Sequence, residues 1–260
     1  MTPVLENRAS VAVRSQAKVH AERLRFFTEK SNAVHRQYLS DADLFDKYER
    51  FLEWQIAYSL PFYSEFDENA ETAAAVEFVV SDLIGTGVSA RDADMARVVP
   101  VMVRLLPAKA LKALAAAMEL NFRALAINLD VCRQLYAAVD VAAGCSERQY
   151  CEAFRTTTSL DECMDLINLT TDLGHALKGL VRSTFLQATL RAMHYPAHAA
   201  GFGAMQQFLE KGFTTFHAID DVDEFLDRFR TRMMYVFTRT CAEPLDVLDA
   251  AAWRVSAAAS

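Results

Sequence analysis

The sequence predicts an all-α protein, an irregular multi-helix bundle folded as a single domain over residues 1–260. Three observations lead there. Helix formers such as Ala, Leu, Met, Glu and Arg are plentiful, while Gly (8) and Pro (6) are scarce, so few turns are available. Apolar side chains recur every three or four residues along most of the chain, the spacing that builds one face of a helix. No alternating strand pattern, hairpin turn, low-complexity tract or fixed-period repeat interrupts them.

The elements follow in order. A first helix occupies about residues 1–39, running from about Glu6 to Leu39. It is polar along its first half, so its early turns fray or reach toward a partner, and Leu24, Phe27, Val34 and Tyr38 supply an apolar side later. Ser40-Asp41-Ala42-Asp43 offers an N-cap and first-turn acids for a second helix, which carries Leu44, Phe45, Tyr48, Phe51, Leu52, Ile56 and Tyr58 and stops before Pro61. Pro61–Asn69 reads as a loop tucked in by Phe62, Tyr63 and Phe66. A third helix over Ala70–Ile84 ends at Gly85. Ser89-Ala-Arg-Asp92 starts another, which Pro100 should kink or break, and Pro107 restarts a rod running toward Ala143 and ending at Gly144.

Ser146–Gln149 and Ser159–Glu162 both match the S-x-x-E/Q capping box, predicting a short helix and then a long one that reaches Met193. Gly174 and Gly179 inside the long one suggest a close crossing or a bend. The stretch His194–Ile219 is expected to form the centre of the bundle, with Pro196 in the first turn of a helix over Ala199–Phe216. Asp221 caps a further helix with Phe225, Leu226, Phe229, Met233, Val236 and Phe237, and past Pro244 an alanine-rich helix fades into a frayed tail over about 244–260.

The run Ser89–Leu120 (SARDADMARVVPVMVRLLPAKALKALAAAMEL) pairs an acidic R-D-x-D helix start with a V-P-x-x-V-R-L-x-P block, and Met193–Ile219 carries P-A-x-A-A-G-x-G-A-x-Q-x-F-L-E-x-G-F. On these two blocks, in this order, the chain resembles the bacterial FFLEELY-motif proteins, with Leu129–Leu135 fitting the link between them. The name-giving motif is degenerate: Phe78–Gly85 reads FVVSDLIG, keeping the character of the motif only at Phe78, Asp82, Leu83 and Gly85. The resemblance covers about half the chain and implies an all-helical cytoplasmic protein. It transfers no activity and no catalytic residue.

The formal net charge of −7 argues against a nucleic-acid partner. The locally basic first helix, with Arg14, Lys18, Arg23, Arg25, Lys30 and Arg36, reads as a solvated face. The opening MTPVLENRAS has no apolar core for export, and no apolar run is long enough to span a membrane, so a cytoplasmic protein is expected. Five cysteines (Cys132, Cys145, Cys151, Cys163 and Cys241) form no C-x-x-C pair and read as reduced small hydrophobes.

Candidate chemistry is sparse. His175, His194, His198 and His217 are the residues a metal site would draw on, but no H-E-x-x-H motif is present, Pro196 interrupts the first pair, and Asp172–His175 supplies only half of a di-iron pattern. We therefore expect neither a metal nor a cofactor, with His194 lying ahead of its helix. Phe202, Met205, Phe208 and Phe213 could line an apolar ligand cavity, although such a stripe also serves as plain core. The first functional expectation is a non-enzymatic protein acting through self-association or a protein partner, with the first helix and the C-terminal tail as contact arms. The alternative is a helical carrier or enzyme with an interior site for a lipid or acyl-like molecule on those four residues. A metal-dependent enzyme is a third.

Overall fold

The computed structural model describes residues 3–83, 88–139 and 145–242. Within them the chain forms ten α-helices and no strand. These are α1 (Pro3–Leu39), α2 (Ala42–Ser59), α3 (Ala70–Glu77), α4 (Val88–Leu105), α5 (Ala108–Ala138), α6 (Glu147–Thr157), α7 (Leu160–Val181), α8 (Thr184–Ala199), α9 (Gly203–Ala218) and α10 (Val222–Cys241). A 3₁₀ segment (Leu60–Phe66) follows α2, and a π-helical turn (Phe78–Leu83) extends α3.

The caps form where local chemistry places them. Asp41 accepts from the amides of Asp43 and Leu44, and Asp221 accepts from that of Glu224. Ser146 with Gln149 and Ser159 with Glu162 form complete capping boxes.

Several boundaries differ from expectation. Pro61–Asn69 is largely a 3₁₀ helix rather than a loop, and Phe62, Tyr63 and Phe66 are buried as expected. Pro100 does not break α4. It lies on the exposed side, where water can take the carbonyl it leaves unpaired. The long helix expected to reach Met193 is two: Arg182 closes α7, and the Ser183 hydroxyl accepts from the Leu186 amide to start α8. Gly85, Gly144 and the tail beyond Ala242 lie outside the described residues.

The largest correction concerns His194–Ile219. Pro196 sits near the end of α8, not at the start of a helix, and His194 and His198 are both on α8. The break comes at Gly201, whose φ is +78°. The Gly201 amide donates to the His198 carbonyl (3.1 Å) and the Phe202 amide to that of Ala197 (2.8 Å), the two bonds of a Schellman C-cap. Helix α9 then begins at Gly203 and runs back along α8.

The centre of the bundle is therefore α5 rather than α9. Fifteen side chains of α5 are buried, against three of α9. The three apolar clusters all include α5. Leu111, Ala115 and Met118 join Leu24, Met95 and Met205. Ala113 and Leu120 join Phe66, Phe78, Ile167, Phe225 and Phe229. Leu125, Leu129, Cys132 and Leu135 join Tyr38, Tyr48, Phe51, Tyr150 and Phe154. Small side chains on the first half of α5 let several helices approach it at once. The buried Glu119 is paired on both sides, by Arg23 of α1 and by Arg123 (2.9 Å), which also reaches Asp165 of α7 (3.6 Å). A carboxylate at this depth must be neutralised, and the chain of ions fixes α1, α5 and α7 in register.

Candidate functional site: an apolar cavity beneath α8

A cavity of about 200 Å³ lies where α4, α5, α7, α8, α9, α10 and the π turn converge. Its walls follow helical spacing: Ala110, Ala113 and Ala117 from α5, Leu173 and Leu177 from α7, and Leu186 and Leu190 from α8. Phe208, Gly212, Phe213 and Phe216 come from α9, and Phe225, Leu226 and Phe229 from α10. Alanine on α5 faces leucine on α8 at a distance the side chains do not fill. Helix α8 itself is lightly held, with only Leu186 and Ala197 buried among its residues.

The π turn contributes Phe78, Val79 and Leu83. The Phe78 ring stacks on Phe208 at 5.2 Å between centroids. It lies so close over Gly212 that a Cβ there would sit 2.6 Å from the ring. A wider helical turn re-aims side chains, and such turns are frequent at functional sites. At the opposite wall Gly174 allows Leu226 of α10 to cross against α7, whereas a Cβ on Gly179 would meet nothing.

The lining includes just two hydroxyls among the described residues, and both are occupied. Thr170 donates to the Leu166 carbonyl and Thr189 to that of Phe185, each at 2.8 Å. The chamber therefore offers a ligand no free hydroxyl donor. Walls of this character hold water poorly, since a water molecule needs two to four polar partners.

Of the residues expected at an apolar site, Phe208 and Phe213 line this cavity. Phe202 and Met205 do not. Phe202 lies at the α8–α9 corner beneath the Arg97 guanidinium, 4.8 Å from its ring centre. Met205 faces the other way, into the cluster with Leu24, Met95 and Met118. The Schellman turn is the reason: starting α9 at Gly203 leaves Phe202 off the helix and sets the phase of everything after it. The leucines of α7 and α8 were missed because a stripe facing a void has the same pattern as one facing solid core.

The histidines are dispersed. His175 pairs with Asp223 (3.5 Å), and the His217 ring donates to the Val181 carbonyl (3.2 Å). His194 bonds Glu210 (2.9 Å), which also accepts from Gln206 (2.8 Å), while the ring of His198 lies 4.8 Å from that of His194. Gln206 further donates to the Leu190 carbonyl, so this group clamps α8 onto α9 at the edge of the cavity. Burial opposes ionisation of Glu210, but the bonds from Gln206 and His194 prevail and hold its carboxyl below the ordinary value. No group of three or more His, Cys, Asp or Glu side chains placed to hold a metal occurs among the described residues.

All five cysteines are free thiols. Burial raises Cys132 to about 12 and Cys151 to about 11, which leaves both as inert thiols. No described helix is long and apolar enough to cross a membrane.

Fold and cavity together define the class: an all-α bundle organised on one alanine-rich rod, with an apolar chamber among its helices. Residues 34–244 match the family described as Domain of unknown function (DUF8198), and the chain belongs to that family. No curated protein and no solved structure matches it.

Proposed function

We propose that this protein binds an apolar small molecule, a lipid or acyl-like chain, in the cavity beneath α8. The observation that carries the reading is a chamber of about 200 Å³ whose only hydroxyls, among the described residues, are bonded to their own helices. A dry cavity of about 150 Å³ accepts benzene, so this one has room for about eight carbons. Helix α8, clamped to α9 by the His194–Gln206–Glu210 group, is the natural cover.

Thermal unfolding with added 1-octanol tests the reading. Ligand at a hundred times its dissociation constant should add about 2.7 kcal/mol, a rise of several degrees. Ala117→Phe, which places a ring in the chamber, should abolish the rise while leaving a cooperative transition. An unchanged midpoint in the natural protein, or a retained rise in the variant, overturns the reading.

Self-association is a second reading, supported by Val19 and Phe26, which are exposed seven residues apart on α1. Strictly monomeric sedimentation at high concentration would overturn it. The same proposal extends the kinship with FFLEELY-motif proteins: in it Phe78–Gly85 corresponds to the name-giving motif and would serve as cavity wall rather than catalytic centre. A cytoplasmic, bacterial setting goes with that kinship.

A further inference from the structure

The two stretches of chain that supply most of the cavity lining are one-sided in charge. In a chain of net charge −7, no Asp or Glu occurs from Met95 to Met118 or from Leu173 to Leu209, and those two stretches supply most of the lining. They carry Arg97, Arg104, Lys109, Lys112, Lys178, Arg182 and Arg191 instead.

Three of these cations belong to the turns at one end of the bundle. Arg123 pairs with Asp165, and from that point α5 runs back toward its start while α7 runs on toward its end, both lining the same cavity, so the two helices are antiparallel. At 1.5 Å per residue, Lys109 and Arg182 lie about 21 Å and about 25 Å from this pair, in the same direction. The turn at Pro107 and the turn at Ser183 thus lie at the same end of the bundle. Arg104 and Lys109 flank the first, Arg182 precedes the second, and all three are exposed. None of them pairs with a carboxylate among the described residues. The cavity reaches both turns through Leu106 and Val181. At the same end Leu105 and Phe185 are more than half exposed (52% and 58%), which carries apolar surface from the chamber out to the rim.

We propose that the ligand is an anionic single-chain amphiphile. Its alkyl chain of about eight carbons fills the chamber, and its head, a carboxylate, is held by Arg104, Lys109 and Arg182. This inference rests on the cavity reading and adds the charge of the head. A neutral chain would gain nothing from the rim. A carboxylate in water is strongly hydrated, so it would enter in preference to an alcohol only if cations replace that hydration.

Titration calorimetry with octanoate and with 1-octanol separates the two claims. Octanoate is expected to bind about tenfold more tightly than 1-octanol, and to weaken with added salt. The variant Arg104→Gln/Lys109→Gln/Arg182→Gln alters only exposed side chains. It should weaken octanoate about tenfold and leave 1-octanol unchanged, which also reports that the chamber is intact. Equal binding of the two ligands, or an unaffected variant, overturns the anionic head while the cavity reading stands. If neither ligand binds the natural protein, the cavity reading fails and takes this inference with it.

Discussion

Arg232 shows how one buried charge ties distant parts of the chain together. Its side chain is 2% exposed and donates to Glu65 at 3.0 Å, joining α10 to the 3₁₀ segment after α2. Burial pulls the guanidinium below its ordinary value, and the Glu65 carboxylate opposes that. Replacing this carboxylate takes a charged partner from a buried guanidinium, so Glu65→Gln should cost about 1.5–3 kcal/mol in urea unfolding. A loss close to zero would show that Arg232 is satisfied by its other neighbours. A second residue-scale contrast lies between Cys163 and Cys241. The hydrogen bond between them, and then burial, raises the Cys163 thiol, while the same bond, assisted by Arg155, lowers that of Cys241. Cys163 is fully buried and Cys241 half-buried. Iodoacetamide at mildly alkaline pH should therefore label Cys241 well before Cys163, read by peptide mass. The opposite order would overturn the assignment. The presence of five thiols was legible in the sequence. Their pairing was not, because these two lie on helices far apart in the chain.

At the scale of elements, the two glycines of α7 separate cleanly. Gly174 has the side chain of Leu226 against it, and Gly179 faces open space. Gly179→Ala should accordingly stabilise the protein by about 0.5–1 kcal/mol, through helix propensity and a less free unfolded chain. A loss of stability in thermal unfolding would mean that the position needs its missing Cβ. The sequence marked both glycines as crossing or bend, and the structure keeps that meaning for Gly174 alone. The capping boxes at Ser146 and Ser159 were legible because a cap is made by residues three apart. The division between α8 and α9 was misread. Pro196 imitates a helix start, and the real signal, Gly201 at positive φ, lies five residues later.

At the scale of the whole molecule, carboxylates held in their charged form cap or join the helices around the cavity. Glu162 is lowered by the amide and hydroxyl of Ser159 at the start of α7. Glu210, lowered against its own burial, clamps α9 to α8. Asp223 is lowered by Lys178 and, more weakly, by His175, linking α10 to α7. A depressed folded value contributes stability that is present above the unfolded value and lost as pH falls through the folded one. The midpoint of thermal unfolding should therefore fall steadily below about pH 4.5, and Glu210→Gln should make that fall shallower. An acid profile unchanged by the variant would show that the α8–α9 clamp contributes nothing.

The sequence by itself determined the all-α class, most helix starts and many of the aromatic positions that face inward. Those properties are set by residues within one or two turns of each other. Only the tertiary structure decided that α5 is the central rod, that Phe208 lines the cavity while Met205 does not, and that alanines of α5 and leucines of α8 share its walls. A void is what remains where six helices and a π turn fail to touch, and no local pattern in the chain encodes the space between distant side chains.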